Sequence, residues 1–269
     1  MKTVNFVKMS GAANDFVMID NRAAVIKKDF VKTSKKLSNR KLSIGADGLI
    51  LLEKSKKADV RMRIFNPDGS EAEMCGNGVR CLARFAVDKK ITGKKLSIET
   101  LAGLIYAEVR GEIVKAKMIE PKGLKLAFSV GVNGTSEKMN FINTGVPHAV
   151  RFVNSVSSCD VKNLGREIRF HKHFAPRGTN VNFVAVKPGS AIDIRTYERG
   201  VEDETLACGT GSTAGALIAA ASRGLKSPVS VHTRGGEILK IYFKKDGTRF
   251  YDVYLEGRIQ KNFEGSVSL

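Results

Sequence analysis

The chain has 269 residues, enough for one large domain or two of ordinary size, with a core that needs no disulfide staples. Hydrophobic residues make up 42% and charged residues 27%, which excludes a disordered chain, and no apolar run approaches the roughly 18 residues of a membrane-spanning helix. Lys and Arg number 45 against 27 Asp and Glu, a formal net charge of +18. That excess lies in short pairs such as Lys27-Lys28 and Lys244-Lys245. With 7% aromatics and no Trp, it does not build the interleaved basic and aromatic surface of a nucleic-acid binder. The expectation is therefore no nucleic acid and no membrane. The first residues enter a strand pattern with no apolar leader, and the four cysteines include no C-x-x-C pair. A cytoplasmic protein with free thiols is expected.

In chain order, alternation predicts strands over 4–9 and 16–20, a helix over 28–40, and strands over 49–53 and 60–65. A helix over 79–87 follows, with Val79, Leu82, Ala83, Ala86 and Val87 on one face. Further strands are predicted over 96–100, 104–109 and 114–119. A second series covers 139–143, 149–153, 181–186 and 192–197, then a helix over 212–222, then strands over 229–232, 238–243 and 251–255. The helix over 212–222 is apolar on nearly every face, so protein must surround it. The expected fold class is α+β: two pseudo-symmetric domains, each a mixed or antiparallel sheet curled around a central helix. Glu120-Pro121-Lys122-Gly123 marks the boundary. The expected halves are 1–120, with 258–269 returning to it, and 121–257.

A short internal repeat supports the two halves. Ile64-Phe65-Asn66 leads to Cys75-Gly76-Asn77-Gly78 and a helix; Thr196-Tyr197-Glu198 leads to Cys208-Gly209-Thr210-Gly211 and a helix. The two motifs lie about half the chain apart. The first N–H groups of a helix have no internal partner and carry partial positive charge. A thiol placed there has its thiolate form stabilised, and the same N–H groups can cradle a carboxylate. Two such thiols facing one bound carboxylate would suit removal of a proton from one face of a carbon and its return to the other, one sulfur as base and one as acid. Such a pair would titrate as a unit.

The bland alternative, small buried cysteines, is favoured for Cys81 and Cys159, which lack this context. For Cys75 and Cys208 the duplicated context favours chemistry. His148 follows a turn and suits either tuning of a thiol or a structural role. No histidine–carboxylate set has metal-ligand spacing, and neither G-x-G-x-x-G nor a phosphate-binding loop is present. No metal and no cofactor are expected.

Phe65-Asn66-Pro67-Asp68-Gly69-Ser70-Glu71-Ala72-Glu73-Met74-Cys75-Gly76-Asn77-Gly78-Val79-Arg80-Cys81 strongly resembles the diaminopimelate epimerases. So do Tyr197-Glu198-Arg199-Gly200-Val201 and Glu204-Thr205-Leu206-Ala207-Cys208-Gly209-Thr210-Gly211. Lys8-Met9, Asn14-Asp15-Phe16, Gly45-Ala46-Asp47-Gly48, Asn180-Val181-Asn182-Phe183-Val184 and Gly235-Gly236 match in family order across nearly the whole chain.

The resemblance implies a cofactor-independent enzyme interconverting LL- and meso-diaminopimelate, for lysine and peptidoglycan precursors. It also implies a homodimer and an active site in a cleft between two similar domains. Cys75 and Cys208 match the base and acid. Gly76-Asn77 and Gly209-Thr210 match the helix-start groups that hold the reacting carboxylate. Asn14, Asn66, Asn180, Glu198 and Arg199 match substrate-binding side chains. His148 and Glu198 match the groups that polarise the thiols.

Three positions depart from the family pattern. Ser10-Gly11-Ala12-Ala13 stands where His-Gly-x-Gly is frequent, Gly48 where some members have Gln, and Val146 where many have Asn. These bear on substrate preference more than on thiol chemistry. A proline or hydroxyproline racemase of the same fold is the nearest rival, but its first motif usually reads Cys-Gly-His-Gly.

Overall fold

A computed structural model describes residues 3–269. The chain divides into two compact units, Met1–Lys117 with Gly257–Leu269, and Met118–Glu256. The first contains β1 (Thr3–Gly11), β2 (Asn14–Asp20), α1 (Phe30–Ser38), β3 (Gly48–Glu53), β4 (Val60–Phe65), β5 (Glu71–Ala72), α2 (Gly76–Asp88), β6 (Lys95–Thr100), β7 (Gly103–Arg110) and β8 (Ile113–Lys117). The second contains β9 (Lys122–Val132), β10 (Thr135–Asn143), β11 (Pro147–Phe152), α3 (Val161–Phe170), β12 (Asn180–Lys187), β13 (Ala191–Glu198), β14 (Asp203–Thr205), α4 (Gly209–Arg223), β15 (Val229–Thr233), β16 (Ile238–Asp246) and most of β17 (Arg249–Arg258). The last strand, β18 (Gln260–Ser268), pairs antiparallel with β1 of the first unit.

The same wiring occurs twice. In the first unit β1 runs antiparallel to β2, β2 parallel to β3, β3 antiparallel to β4, and β4 parallel to β6, with β7 and β8 following antiparallel. In the second unit the corresponding series is β10, β11, β12, β13, β15, β16 and β17, with parallel pairs β11–β12 and β13–β15. Each parallel pair needs a long crossover. α1 and α2 lie in the two crossovers of the first unit, α3 and α4 in those of the second.

Burial explains why the strands read as they do. In β2, Phe16 and Met18 pack into the cluster around α2, while Val17 and Ile19 pack into the cluster that includes Leu37 of α1. Ile50 and Leu52 of β3 go to the first, and Leu49 and Leu51 to the second. Strands covered on both faces become continuous apolar runs. α2 packs against β1, β2, β3, β4, β6, β7 and β8, so its sheet curls around it; α4 does the same with β9, β10, β11, β12, β13, β15 and β16. Residues 214–220 of α4 are all buried. Gly215 lets Val184, Ile192 and Ile194 approach, each 3.1–3.2 Å from where a Cβ would stand.

Both central helices start earlier than their apolar periodicity, at Gly76 and Gly209, because the polar first turn carries no hydrophobic signal. Five of these elements lie outside the sequence expectation, two of them the short strands β5 and β14. β9 and β18 are mostly exposed; β9 alternates through Leu124, Leu126, Phe128, Val130 and Val132, of which Val130 and Val132 are buried, and β18 shows no such pattern. α3 buries Val161, Gly165 and Ile168 on one face, and Asp160 caps it by accepting from the Asn163 N–H at 3.1 Å.

Candidate active site

Cys75 and Cys208 each occupy the residue before a central helix, in extended conformation (φ −138° and −129°). Their carbonyls accept the first helical hydrogen bonds, from Val79 N and Ser212 N, both at 2.8 Å. Cys75 is half-buried and Cys208 buried. The Cys208 sulfur also caps α4, accepting from the Gly211 N–H at 3.4 Å, with Thr210 Oγ1 equally close. The remaining N–H groups of each first turn are those a helix cannot satisfy internally.

The last glycine of each motif is required by packing. A Cβ on Gly211 would lie 2.4 Å from Asn182 Oδ1 and 3.3 Å from the Cys208 sulfur. One on Gly78 would meet Ile50 Cδ1 at 2.9 Å.

Around the start of α2 the amides are ordered by a directed chain. Arg80, fully buried, donates from Nη2 to Asn77 Oδ1. Asn77 Nδ2 donates to Asn14 Oδ1 at 2.7 Å, and Asn14 Nδ2 donates to Asp47 Oδ2 at 3.1 Å. Arg40 joins Asp47 to Asp15 through hydrogen bonds of 2.7–3.0 Å, and Lys8 holds Asp15 at 2.9 Å while donating to the Gly45 carbonyl. Burial alone would raise the Asp15 carboxyl, but Arg40 and Lys8 outweigh it and hold it at about 2. Asn14 and Asn77, both expected at the site, thus meet directly. Asn66 stands apart in an exposed turn, donating to Ser70 Oγ.

Around the start of α4 the hydrogen-bonded amides, hydroxyls and His148 are neutral. Asn180 donates to the Pro147 carbonyl at 3.0 Å and accepts from the Arg199 N–H at 2.9 Å, so it fixes the backbone that carries Glu198 and Arg199. Burial pushes the Glu198 carboxyl up, with the Thr205 hydroxyl pulling the other way. Burial and the nearby Arg169 and Arg177 disfavour the charge on Arg199, an arrangement an anion would relieve. His148 is fully buried; burial first, then the positive charge of Arg199, pushes it down to about 3, so it is neutral. Its Nδ1 meets Asn182 Nδ2 at 3.1 Å. Thr144 Oγ1 donates to the Thr210 carbonyl at 3.0 Å, tying α4 to the turn before β11.

Cys81 is a buried core residue of α2 itself, and Cys159 lies in the loop before α3, donating to the Ser155 carbonyl at 3.4 Å. Of the family departures, Gly48 has its space taken: a Cβ there would lie 2.9 Å from the Phe65 carbonyl, so a larger residue needs a shifted backbone. Val146 closes a tight turn, its carbonyl accepting from Thr144 N. Among the described residues, no three of His, Cys, Asp and Glu form a metal-binding group, and no helix is long and apolar enough to cross a membrane. Arg80, Asp47, Asn182 and Thr144 support the surroundings of the two helix starts without having been singled out for a role from the sequence.

The doubled sheet-around-helix fold recurs in solved structures of distant sequence. The chain superposes on a Bacillus anthracis phenazine biosynthesis protein of the PhzF family with a TM-score of 0.79 at 17% identity, covering 100% of both chains. It superposes on a probable proline racemase from Agrobacterium radiobacter K84 with a TM-score of 0.73 at 16% identity, covering 99% of this chain and 93% of that one. The sequence comparison is more specific than the fold. A profile described as diaminopimelate epimerase matches residues 6–122 and 140–261. Diaminopimelate epimerases of Aquifex aeolicus (strain VF5) and Archaeoglobus fulgidus are 46% and 42% identical, covering 98% and 99% of this chain and 98% and 97% of theirs. The chain belongs to the diaminopimelate epimerase family.

Proposed function

We propose that the protein interconverts LL- and meso-diaminopimelate by proton transfer at one α-carbon, with Cys75 and Cys208 as the two acid–base groups and no cofactor. The observation that carries this reading is the placing of one thiol at the start of the central helix in each unit. In one direction a thiolate takes the α-proton from one face, and the other thiol gives its proton to the opposite face. The substrate leaves inverted, and the two sulfurs have exchanged protonation states. No atom is oxidised or reduced.

The carbanion-like charge spreads into the α-carboxylate, which the N–H groups of Gly76-Asn77 and Gly209-Thr210 would hold. Arg199 suits a carboxylate, and Asn14, Asn66, Asn180 and Glu198 offer polar groups for the rest of a substrate with two amino-acid ends. Holding the distal end would orient the reacting carbon. A cytoplasmic homodimer completes the reading, and sedimentation analysis checks its oligomeric part.

The test is incubation of reduced protein with LL-diaminopimelate in heavy water, beside Cys75→Ala and Cys208→Ala. Deuterium at one α-carbon of meso product, lost in both variants, is expected. Full turnover in either variant overturns the two-thiol mechanism. Exchange with proline instead of diaminopimelate overturns the substrate.

A further inference from the structure

We propose that Asn182 is a positioning residue that fixes His148 as its Nε2–H tautomer, making His148 a hydrogen-bond donor to charge formed during the reaction and not a base that takes a proton from a thiol.

The argument is one of atom types. Asn182 lies on β12 and is fully buried. Its Nδ2 donates to the Ala149 carbonyl at 3.0 Å, and a carbonyl can only accept. The amide therefore cannot be turned round, a setting that agrees with the Thr196 hydroxyl 3.0 Å from its oxygen. The second Nδ2 hydrogen remains, and it points at His148 Nδ1, 3.1 Å away. Two donors cannot share one hydrogen bond, so Nδ1 must be the acceptor. A neutral imidazole carries one proton, which then sits on Nε2. Burial and Arg199 keep the ring neutral throughout the working range.

Nε2 is buried, and among the described residues nothing accepts from it. A buried N–H without an acceptor costs roughly 1–3 kcal/mol, which an acceptor appearing during turnover would recover. Asn182 is tied to the catalytic helix as well. Its Oδ1 occupies the space that a side chain on Gly211 would need, three residues after Cys208. The tautomer and the start of α4 are thus set by the same amide.

The inference rests on the proposed epimerase reading for what accepts the hydrogen bond, but its central claim is tested without turnover. In protein labelled with nitrogen-15 at histidine, His148, assigned by its loss in His148→Gln, should show a protonated Nε2 and a bare Nδ1. The opposite pattern overturns the proposal. In Asn182→Asp an acceptor replaces the amide donor, and the proton should move to Nδ1.

Turnover supplies the second arm. The Gln amide can place an N–H near Nε2 but has no basicity. His148→Gln should keep kcat within about tenfold, while His148→Leu should lose on the order of 10²-fold, the cost typical of removing one donor to transition-state charge. Equal losses in the two variants, or a loss confined to KM, would overturn the donor role. Wild-type protein inactive on diaminopimelate, yet showing the Nε2–H signature, would remove the substrate reading and leave the tautomer standing.

Discussion

The starts of α2 and α4 share a cysteine, two glycines and a surrounding sheet, but different chemistry stands behind them. Behind Cys75 the chain of donors runs from Arg80 through Asn77 and Asn14 to Asp47, and ends in the charged set of Arg40, Asp15 and Lys8. Behind Cys208 it runs from Thr196 through Asn182 to His148, neutral throughout. A charged chain orients amides strongly but is exposed to pH and salt. A neutral chain orients through fixed donor and acceptor roles and responds to neither. The difference teaches that a helix start can be repeated while its support is rebuilt, so the two thiols need not have the same working environment.

The largest expected effect contrasts the two last glycines. Gly211→Ala sets a methyl against Asn182 Oδ1 and the Cys208 sulfur, both held by other bonds. It should cost roughly 3 kcal/mol, at the upper end for overpacking. Gly78→Ala meets the ends of Ile50 and Ile64, which can swing away, and should cost about 1 kcal/mol or less. Urea unfolding of both variants measures the gap. Equal midpoints would show that the two starts are packed alike.

Next comes truncation of each chain at its head. Arg80→Met leaves Asn77 Oδ1 without its charged donor and should cost about 2 kcal/mol, whereas Thr196→Val removes a neutral bond and should cost about 1 kcal/mol. Thermal unfolding at matched pH compares them, and a larger loss in Thr196→Val would reverse the ranking argued here.

Acid should separate the two supports further. The folded Asp15 carboxyl is lowered from 3.8 to about 2, so its contribution is present above the unfolded value and disappears as pH falls from about 4 to about 2. Because Arg40 is largely exposed, solvent screening reduces this to on the order of 1 kcal/mol. Asp15→Asn should flatten the acid limb of stability in that window and leave it unchanged near neutrality in slope. An unaltered acid limb would show that Asp15 is not the group that titrates.

What the sequence reveals and hides follows from how each contact is encoded. Alternation exposes a strand when one face is buried, as in β6, and an unbroken apolar run exposes β3. β18 lies at a sheet edge with mostly solvated side chains, so neither pattern is written into it, whereas β9 alternates from Leu124 to Val132 and its strand is legible in the sequence. The place of the two cysteines at helix starts was legible because the motif is local and occurs twice. Asn182 was visible only as part of a matching string, since its partners on β11, β13 and α4 come from separate stretches of chain. Arg80 reads as a surface residue of an amphipathic helix; only the fold reveals that it is enclosed. Buried polar pairing between distant residues has no sequence period.

The smallest effect concerns the hairpin that delivers Asn14 to its chain. β1 and β2 join through Ala12 and Ala13, both in the left-handed region at φ 49° and 65°, with Gly11 paired to Asn14. This two-residue turn favours glycine and asparagine, because a Cβ in that region costs about 1–2 kcal/mol. Ala13 is exposed, so Ala13→Gly removes the strain and loses no packing; the greater freedom of glycine in the unfolded chain takes back about 0.5–1 kcal/mol. A net gain of about 0.5 kcal/mol is expected, read as a small rise in urea midpoint. Ala12 is fully buried, and Ala12→Gly gives up its methyl contacts as well, so it should be neutral or destabilising. If both substitutions stabilise equally, burial at position 12 is not what separates them, and the hairpin is held by its turn geometry alone.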